Sequence, residues 1–344
     1  MKRIAFLLLF ASLLLAVVAG AGVYKMNRFM DSPMNLPVDG AAFEIAPGSS
    51  FATVTGDLVE RGIIESDFWL RLHARRSGEA GGIQAGEYDL EQGATPRSML
   101  EQFLRGSVRL HSFTIIEGWN HRDLLKALHA NEAIVPSMTD EDWPAFLESI
   151  GATVTHPEGL FLPETYRIPR NTTDRQLLTQ AYELMQDVLA EEWSAKGEMI
   201  PVSSPYEALV LASIVEKETA RADERPRIAG VFARRIEKRM RLQTDPTVIY
   251  GIGASFDGNL TRTHLRTDTP YNTYTRHGLP PTPIAMPGRA AINAVLHPAK
   301  GEELYFVATG LGDGSHKFSK TKAEHDAAVA EYLRRLRQQR RQGR

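Results

Sequence analysis

The stretch Glu207-Ala-Leu-Val-Leu-Ala-Ser-Ile-Val-Glu-Lys-Glu-Thr-Ala220 predicts one continuous helix that carries two glutamates close to its end. Ser203 or Ser204 is a suitable cap for its first turn, and Pro205 fits a first helical position, where no amide hydrogen is required. Glycine and proline are absent from its interior.

One of the two glutamates is predicted to lie on the apolar side of the helix. Residues rotate by about 100° each around a helix, so Leu211, Ile214 and Val215 share a side with Glu218, whereas Glu216 points the other way. Burial disfavours the charged form of a carboxyl group and raises its pKa. A carboxyl group of that kind is usable as a general acid, which makes Glu218 a catalytic candidate.

An ordinary structural acid fits the same position. Glu218 stands at a helix end beside Lys217 and Arg221, and an ion pair with either would also perturb its pKa. The helix taken alone leaves both interpretations open.

Length and composition set the broad class of protein. The chain has 344 residues, 43% of them hydrophobic, which is enough for two domains with cores of their own. The 40 basic and 42 acidic residues give a net charge of −2, so no electrostatic argument favours a nucleic-acid partner. Cysteine is absent, which excludes disulfides and thiolate metal sites.

The N-terminus predicts a membrane anchor. An uncharged, mostly apolar run of 21 residues extends from Ile4 to Tyr24, long enough to cross about 30 Å of hydrocarbon. We favour an uncleaved anchor, with Ala19-Gly-Ala21 as an alternative cleavage site. The positive charges of Lys2 and Arg3 predict a cytoplasmic N-terminus, which leaves the remaining chain on the extracytoplasmic side of the cytoplasmic membrane.

The order of predicted elements suggests two further parts. After a linker at 29–40, rich in proline, residues 41–107 alternate strand, helix, helix and strand. This pattern resembles the LysM-type modules that bind N-acetylglucosamine polymers, with a small packing domain as the alternative. Residues 108–344 form a larger mixed domain, and residues 1–28 form the cytoplasmic tip and anchor. The expected fold class is therefore α+β: one transmembrane helix, a LysM-like module and a mixed α/β catalytic domain.

The sequence lacks the motifs that are typical of several kinds of enzyme. The sequence contains no G-x-G-x-x-G, no Walker lysine loop, no G-x-S-x-G and no H-E-x-x-H. His277, His297, His316 and His325 are scattered and more typical of packing or hydrogen-bonding histidines than of metal ligands. No glycine-rich phosphate loop accompanies a lysine, which argues against a pyridoxal-phosphate lyase. We expect no metal and no cofactor.

Polar and aromatic residues concentrate after the acidic helix, in two stretches expected to be loops. Sugar rings stack on aromatic side chains, and sugar hydroxyls bond to amide and carboxylate groups. A cluster of that composition favours carbohydrate chemistry. The predicted substrate-binding residues are Gln243, Thr244, Asp245, Tyr250, Tyr271, Asn272 and Tyr274.

Five short motifs stand out along the second half of the chain. They are Ser213-Ile-Val-Glu-Lys-Glu-Thr219, Arg241-Leu-Gln-Thr-Asp-Pro-Thr-Val-Ile-Tyr-Gly251, Tyr271-Asn-Thr-Tyr274, Gly278-Leu-Pro-Pro281 and Tyr305-Phe-Val307. Together they resemble the bacterial endolytic murein transglycosylases of the MltG, or YceG-like, family. The resemblance covers nearly the whole chain, and its departures are Thr282 for glycine, Glu164 for aspartate and Asp326 for asparagine. It implies that Glu218, the second glutamate of Glu-Lys-Glu-Thr, is catalytic.

The resemblance also implies a reaction and partners. The reaction is cleavage of the β-1,4 bond between N-acetylmuramic acid and N-acetylglucosamine in nascent glycan strands, with 1,6-anhydro ring formation and termination of strand growth. The implied partners are glycan strands, the membrane and cell-wall synthesis proteins. One alternative is a hydrolytic muramidase that uses Asp245 or Glu164 as a second carboxylate. Another is a non-catalytic peptidoglycan-binding scaffold.

Overall fold

The computed structural model describes residues 2–198 and 200–342, so Met1, Met199, Gly343 and Arg344 lie outside it. Helices and strands are mixed along the chain, which divides into two compact units. The first unit comprises residues 1–111 and 167–171, and the second comprises residues 112–166 and 172–344.

The first unit begins with a long apolar helix. The most apolar 18-residue window of α1 (Lys2–Met30) has a mean hydropathy of 2.7, and none of that window is buried. It is one helix that is long and apolar enough to span a membrane, and it fits a single-pass anchor. Its last turns differ from the rest, because Met26 and Met30 are buried in the core of the first unit.

That core is built on a two-stranded antiparallel sheet. β1 pairs with β2 with Phe43 opposite Tyr88, and both rings contact Phe103. Residues 29–40, which we expected to be a linker, pack here as well: Met34 is buried, and its amide donates to the Ala94 carbonyl. The elements after α1 are β1 (Ala41–Ile45), α2 (Phe51–Glu60), α3 (Phe68–Ser77), a 3-10 turn (Glu79–Gly81), β2 (Gly86–Leu90) and α4 (Pro96–Arg105).

The second unit is mainly helical, with short strand pairs. β3 pairs with β5, β4 with β6 in parallel, and β7 with β8 antiparallel. The elements after α4 are β3 (Leu110–Thr114), α5 (His121–His129), β4 (Ile134–Val135), α6 (Trp143–Ser149), β5 (Thr165–Pro169), β6 (Thr172–Thr173), α7 (Asp174–Ser194), α8 (Pro205–Glu218), α9 (Arg225–Glu237), α10 (Asp245–Ile252), α11 (Arg262–Arg266), α12 (Arg289–Leu296), β7 (Tyr305–Ala308), β8 (His316–Ser319) and α13 (Lys322–Gln342), with 3-10 turns at Asp140–Asp142 and Gly253–Ser255. The first residues of β3, up to His111, and the last residues of β5, from Arg167, are counted in the first unit.

The acidic helix is the centre of the second unit. Ser204 caps α8 by accepting from the Glu207 amide, and α7, α9, α10 and α12 all pack against it. Residues 208–215 are buried on every side of the helix. A helix that is apolar all round is typical of a core position. The apolar-side interpretation was therefore incomplete, since burial alone does not separate Glu216 from Glu218.

One stretch that we expected to be a loop is helical. α10 begins at Asp245, directly after the Thr244 cap position, with Pro246 in its first turn. A polar cap followed by proline is a typical helix start, and this signal was missed in the sequence. The proline-rich residues 278–288 are irregular, as their composition predicts.

Candidate active site

The end of α8 opens onto a cavity of about 380 Å³. Glu218, the last residue of the helix, lines this cavity with partial exposure. The cavity contains Glu218 and four of the predicted substrate-binding residues, which are Gln243, Thr244, Asp245 and Tyr274. Its further lining residues are Arg235, Leu242, Tyr305, Phe306, Val307, Ala308, His316, Lys322, His325 and Val329.

The surroundings of Glu218 favour the protonated carboxyl group. The pKa of Glu218 is raised to about 7, chiefly by removal from water and in smaller part by the charge of Asp245. Two effects oppose the rise: the Thr244 hydroxyl donates a hydrogen bond to Oε1, and Arg235 favours the anion. Among the described residues no hydrogen bond is made to Oε2. The second oxygen is therefore free to carry a proton in the cavity.

Glu216, two residues earlier, is held in a structural network. Its side chain is only 5% exposed; Oε1 accepts from Arg225 at 3.2 Å and Oε2 accepts from the Gly288 amide at 3.0 Å. Burial raises the pKa of Glu216, and these partners oppose that rise. The contrast between the two acids thus lies in their partners.

The alternative of an ion pair at the helix end is not what the structure shows. Arg221 pairs with Asp223, and the Lys217 ammonium donates to the Gly118 carbonyl at 3.0 Å. Within residues 2–198 and 200–342, no cation forms a salt bridge with Glu218 at 4.0 Å or closer. The raised pKa of Glu218 is consistent with this arrangement.

A group of buried threonines fixes the position of Thr244. Its amide donates to the Thr273 hydroxyl at 3.1 Å, and its carbonyl accepts from Thr247 at 2.8 Å. All three side chains are buried. Gln243, just before them, has a left-handed φ of 53°, a strained conformation for a residue other than glycine. Only Thr244 of the three threonines was predicted from the sequence.

The second carboxylate in the cavity is bound to a tyrosine. The Tyr274 hydroxyl donates to Asp245 Oδ1 at 2.6 Å, and burial together with this bond raises the pKa of Tyr274. Glu164, the other carboxylate considered, is exposed, accepts from the Thr165 amide and does not line the cavity. The structure therefore brings Asp245, and not Glu164, beside Glu218.

Three predicted site residues lie outside this cavity. The Tyr250 hydroxyl donates to the buried Glu158 at 2.9 Å, and its ring meets that of Tyr271 edge-on. Tyr271 is hydrogen-bonded to Thr282. Asn272 is 1% exposed, and its amide group donates to backbone carbonyls, the closest being that of Thr267 at 2.7 Å.

Several residues that line the cavity were not predicted as site residues. Tyr305 stacks on His325 with ring centroids 5.2 Å apart, and His316 bonds through Nδ1 to Glu224 at 2.7 Å. The Nδ1 atom of His325 is buried without a hydrogen-bond partner among the described residues. The Tyr305-Phe-Val307 motif was the available signal for this part of the cavity. In the described part of the chain, no group of three or more His, Asp or Glu side chains is placed to hold a metal ion.

The chain is similar to several known proteins. A sequence model described as "YceG-like family" matches residues 43–331. A protein of Bacillus subtilis (strain 168) named "Endolytic murein transglycosylase" is 31% identical, with 84% of this chain and 84% of the relative covered. A protein with the same name from Streptococcus pneumoniae serotype 2 is 27% identical over 93% of this chain, which spans 64% of that relative.

A solved structure is similar as well. The 2.6 Å crystal structure of a yceG-like protein from Listeria monocytogenes matches with a TM-score of 0.53 and 27% identity, covering 85% of this chain and 99% of that one.

Proposed function

This chain belongs to the YceG-like family, and on that premise we propose that it is an endolytic murein transglycosylase with Glu218 as its catalytic acid. The observation that carries the proposal is one carboxyl group with a pKa of about 7, open to a cavity and without a salt-bridge partner at 4.0 Å or closer among the described residues. The relatives named endolytic murein transglycosylase support the substrate, which is peptidoglycan.

A single carboxyl group is sufficient for the reaction. Protonated Glu218 donates its proton to the glycosidic oxygen as the bond from that oxygen to the muramic C1 breaks, and the N-acetylglucosamine side leaves as an alcohol. The resulting carboxylate takes the proton of the muramic 6-hydroxyl while O6 bonds to C1. The product is a 1,6-anhydro ring, and Glu218 returns to its starting form. Such a group works best when its pKa lies near the working pH.

The neighbouring polar groups have supporting roles in this proposal. Thr244 orients the carboxyl group through Oε1, which leaves Oε2 to exchange the proton. Gln243, Asp245 and Tyr274 line the same cavity and supply hydrogen-bonding groups for sugar hydroxyls. Arg235 fixes the loop that carries them by donating to the Leu242 carbonyl at 2.8 Å.

Product analysis tests the function. Purified full-length protein in detergent is incubated with peptidoglycan glycan strands, and the fragments are analysed by mass spectrometry. We expect internal cuts with 1,6-anhydro ends, and a loss of about 10²–10⁴-fold in Glu218→Gln, the usual contribution of a general acid. Reducing ends alone would indicate a hydrolase that uses Asp245, whereas absence of fragments from the wild type would indicate a scaffold.

We also propose that residues 41–107 form a LysM-like glycan-binding module and residues 108–344 the catalytic domain. The order β1, α2, α3, β2 with antiparallel outer strands supports the module. In full-length Glu218→Gln, binding of an N-acetylglucosamine oligomer should slow amide hydrogen exchange within 41–107. Unchanged exchange there would favour a packing domain.

The orientation in the membrane is part of the same proposal. Lys2 and Arg3 precede the apolar helix, which favours a cytoplasmic tip and an extracytoplasmic catalytic domain in the bacterial cytoplasmic membrane. Protease added to spheroplasts should digest the chain beyond residue 30. Protection of the chain until lysis would contradict this orientation.

A further inference from the structure

A second cavity, of about 560 Å³, lies directly beside the first in the second unit. Lys217 lines the second cavity, and its neighbour Glu218 lines the first; Pro246 lines the second, and its neighbour Asp245 lines the first. Adjacent Cα atoms are only about 3.8 Å apart. The end of α8 and the start of α10 therefore form one thin wall with a cavity on each side.

Much of the lining of the second cavity is apolar. Pro246, Ile249, Phe256 and Ile284 line it together with Tyr250, whose hydroxyl is anchored by Glu158. A surface of this kind suits the face of a sugar ring and the methyl group of an N-acetyl substituent. Tyr250, which is absent from the first cavity, thus has a place in carbohydrate binding here.

Two positively charged side chains also line the second cavity. The Lys217 ammonium donates to the Gly118 carbonyl, and among the described residues no carboxylate lies within 4.0 Å of it. Arg122 also lines the cavity; its nearest acid is Asp140 at 3.9 Å, and both side chains are more than half exposed. An exposed pair at that distance contributes little, so both cations remain available to an anion.

The backbone amides at the start of α5 already have hydrogen-bond acceptors within the protein, so they do not add to the positive charge of the cavity. The Asn120 side chain accepts from the amides of Arg122 and Asp123, and the His121 amide donates to Glu158. Asp123 adds one negative charge to the lining, and its carboxylate accepts from the Asn120 amide at 3.3 Å. The cavity therefore presents its positive charge through the Lys217 and Arg122 side chains.

We propose that the second cavity binds the sugar on one side of the cleaved bond, with Lys217 pairing with a carboxylate on the muramic acid substituent. The inference rests on the proposed function, because an enzyme that cuts within a strand must hold sugars on both sides of the bond. The carboxylate belongs either to the lactyl group or to a peptide attached to it.

Binding measurements in the Glu218→Gln background test the proposal without cleavage. Three probes are compared by calorimetry: a neutral N-acetylglucosamine oligomer, a peptide-free muramic-acid-containing strand, and a peptide-bearing strand of the same length. We expect the charged strands to bind more tightly than the neutral oligomer. Tighter binding of the peptide-free strand would identify the lactyl carboxylate as the partner of Lys217. Tighter binding of the peptide-bearing strand would identify a carboxylate of the peptide. Adding Lys217→Gln should weaken the preferred strand by about tenfold and reduce this difference, since a hydrogen bond between charged groups has that magnitude.

Matched variants separate charge from packing. Lys217→Arg retains the charge and should retain the difference between probes. Lys126→Gln, an exposed lysine of α5 that does not line the cavity, makes the same charge change and should also retain it. Equal binding of charged and neutral probes by the Glu218→Gln parent would overturn the proposal, as would equal weakening of all three probes by Lys217→Gln. Failure of the wild type to cut strands would instead refute the proposed function, and the binding comparison would still be informative.

Discussion

The Thr244 hydroxyl donates a hydrogen bond to Oε1 of Glu218, at the point where α8 ends and α10 begins. This bond favours the carboxylate, whereas removal from water and the charge of Asp245 favour the protonated acid. The balance sets the pKa of Glu218 at about 7. A proton donor that has to become a base within one reaction needs a pKa in that range.

The raised pKa of Glu218 predicts a specific dependence of stability on pH. The folded protein keeps the Glu218 proton up to about pH 7, whereas the unfolded chain loses it near 4.5, so the free energy of unfolding falls as pH rises through this window. Glu218→Gln removes this contribution. We compare the free energy of unfolding of the variant with that of the wild type at each pH. This difference should favour the variant by about 1–3 kcal/mol more at pH 8 than at pH 4, and the lower values reflect the partial exposure of the carboxyl group. Urea unfolding at both pH values measures the gain, and a difference that is independent of pH would contradict the assignment.

Removal of the Thr244 hydroxyl should move the pH profile of cleavage. Above its pKa, Glu218 is mainly deprotonated, so kcat/KM should fall about tenfold per pH unit on the alkaline side. Thr244→Val deletes the bond that lowers this pKa, so the alkaline limb should shift to higher pH. Thr247→Val is the matched control, because it removes a buried hydroxyl that bonds to Thr244 and Thr273 and not to Glu218. An unshifted limb in Thr244→Val would show that the bond does not set the titration.

Glu216 and Glu218 should respond differently to the same substitution. Glu216→Gln leaves the buried Arg225 without its nearest charge partner, and we expect a loss of about 2–4 kcal/mol in the free energy of unfolding. Glu117→Gln is the control: it contacts the same guanidinium at 3.4 Å but is 46% exposed, so its loss should stay below about 1 kcal/mol. Denaturant unfolding measures both, and equal losses would contradict a structural role specific to Glu216.

Asn272 should matter more for folding than for affinity. Its amide group donates to backbone carbonyls, including those of His264 and Thr267, and its Oδ1 accepts from the Tyr274 amide at 2.9 Å. We expect Asn272→Ala to lose about 2–3 kcal/mol of stability, because buried backbone groups lose their partners. Asn259→Ala, at an exposed loop position, should change it by less than about 0.5 kcal/mol. Full stability combined with weakened glycan binding would instead support direct contact with substrate.

Some elements were predictable because their signals are local. The apolar run that becomes α1, the individual strands β1 and β2 and the central helix α8 follow from periodicity and capping within a few residues. The start of α10 was missed because its Thr-Asp-Pro signal lay inside a stretch interpreted for its polar chemistry. The place of Met34 in a core was missed because proline-rich composition describes the local chain and not its packing.

The residues of the candidate site also fall into those that the local sequence predicts and those that it does not. Glu218 was selected from the periodicity of its helix, and Asp245 and Tyr274 from the polar and aromatic composition of two stretches; all three line one cavity. Tyr250 has the same chemistry but lies on the other side of the wall, in the second cavity. Tyr305 and His325 complete the first cavity from distant parts of the sequence, and nothing in their local sequence indicates which cavity they will line.

The sequence by itself determined which helix carries the acids, because helix formation and apolar periodicity are properties of neighbouring residues. Only the tertiary structure decided which acid opens onto a cavity and which is paired with a cation. α8 is buried on every side, so the difference depends on what other segments bring to it: Arg225 and the Gly288 amide to Glu216, a threonine hydroxyl and an open cavity to Glu218. Charge and solvation act through space, and the chain order does not encode those distances directly.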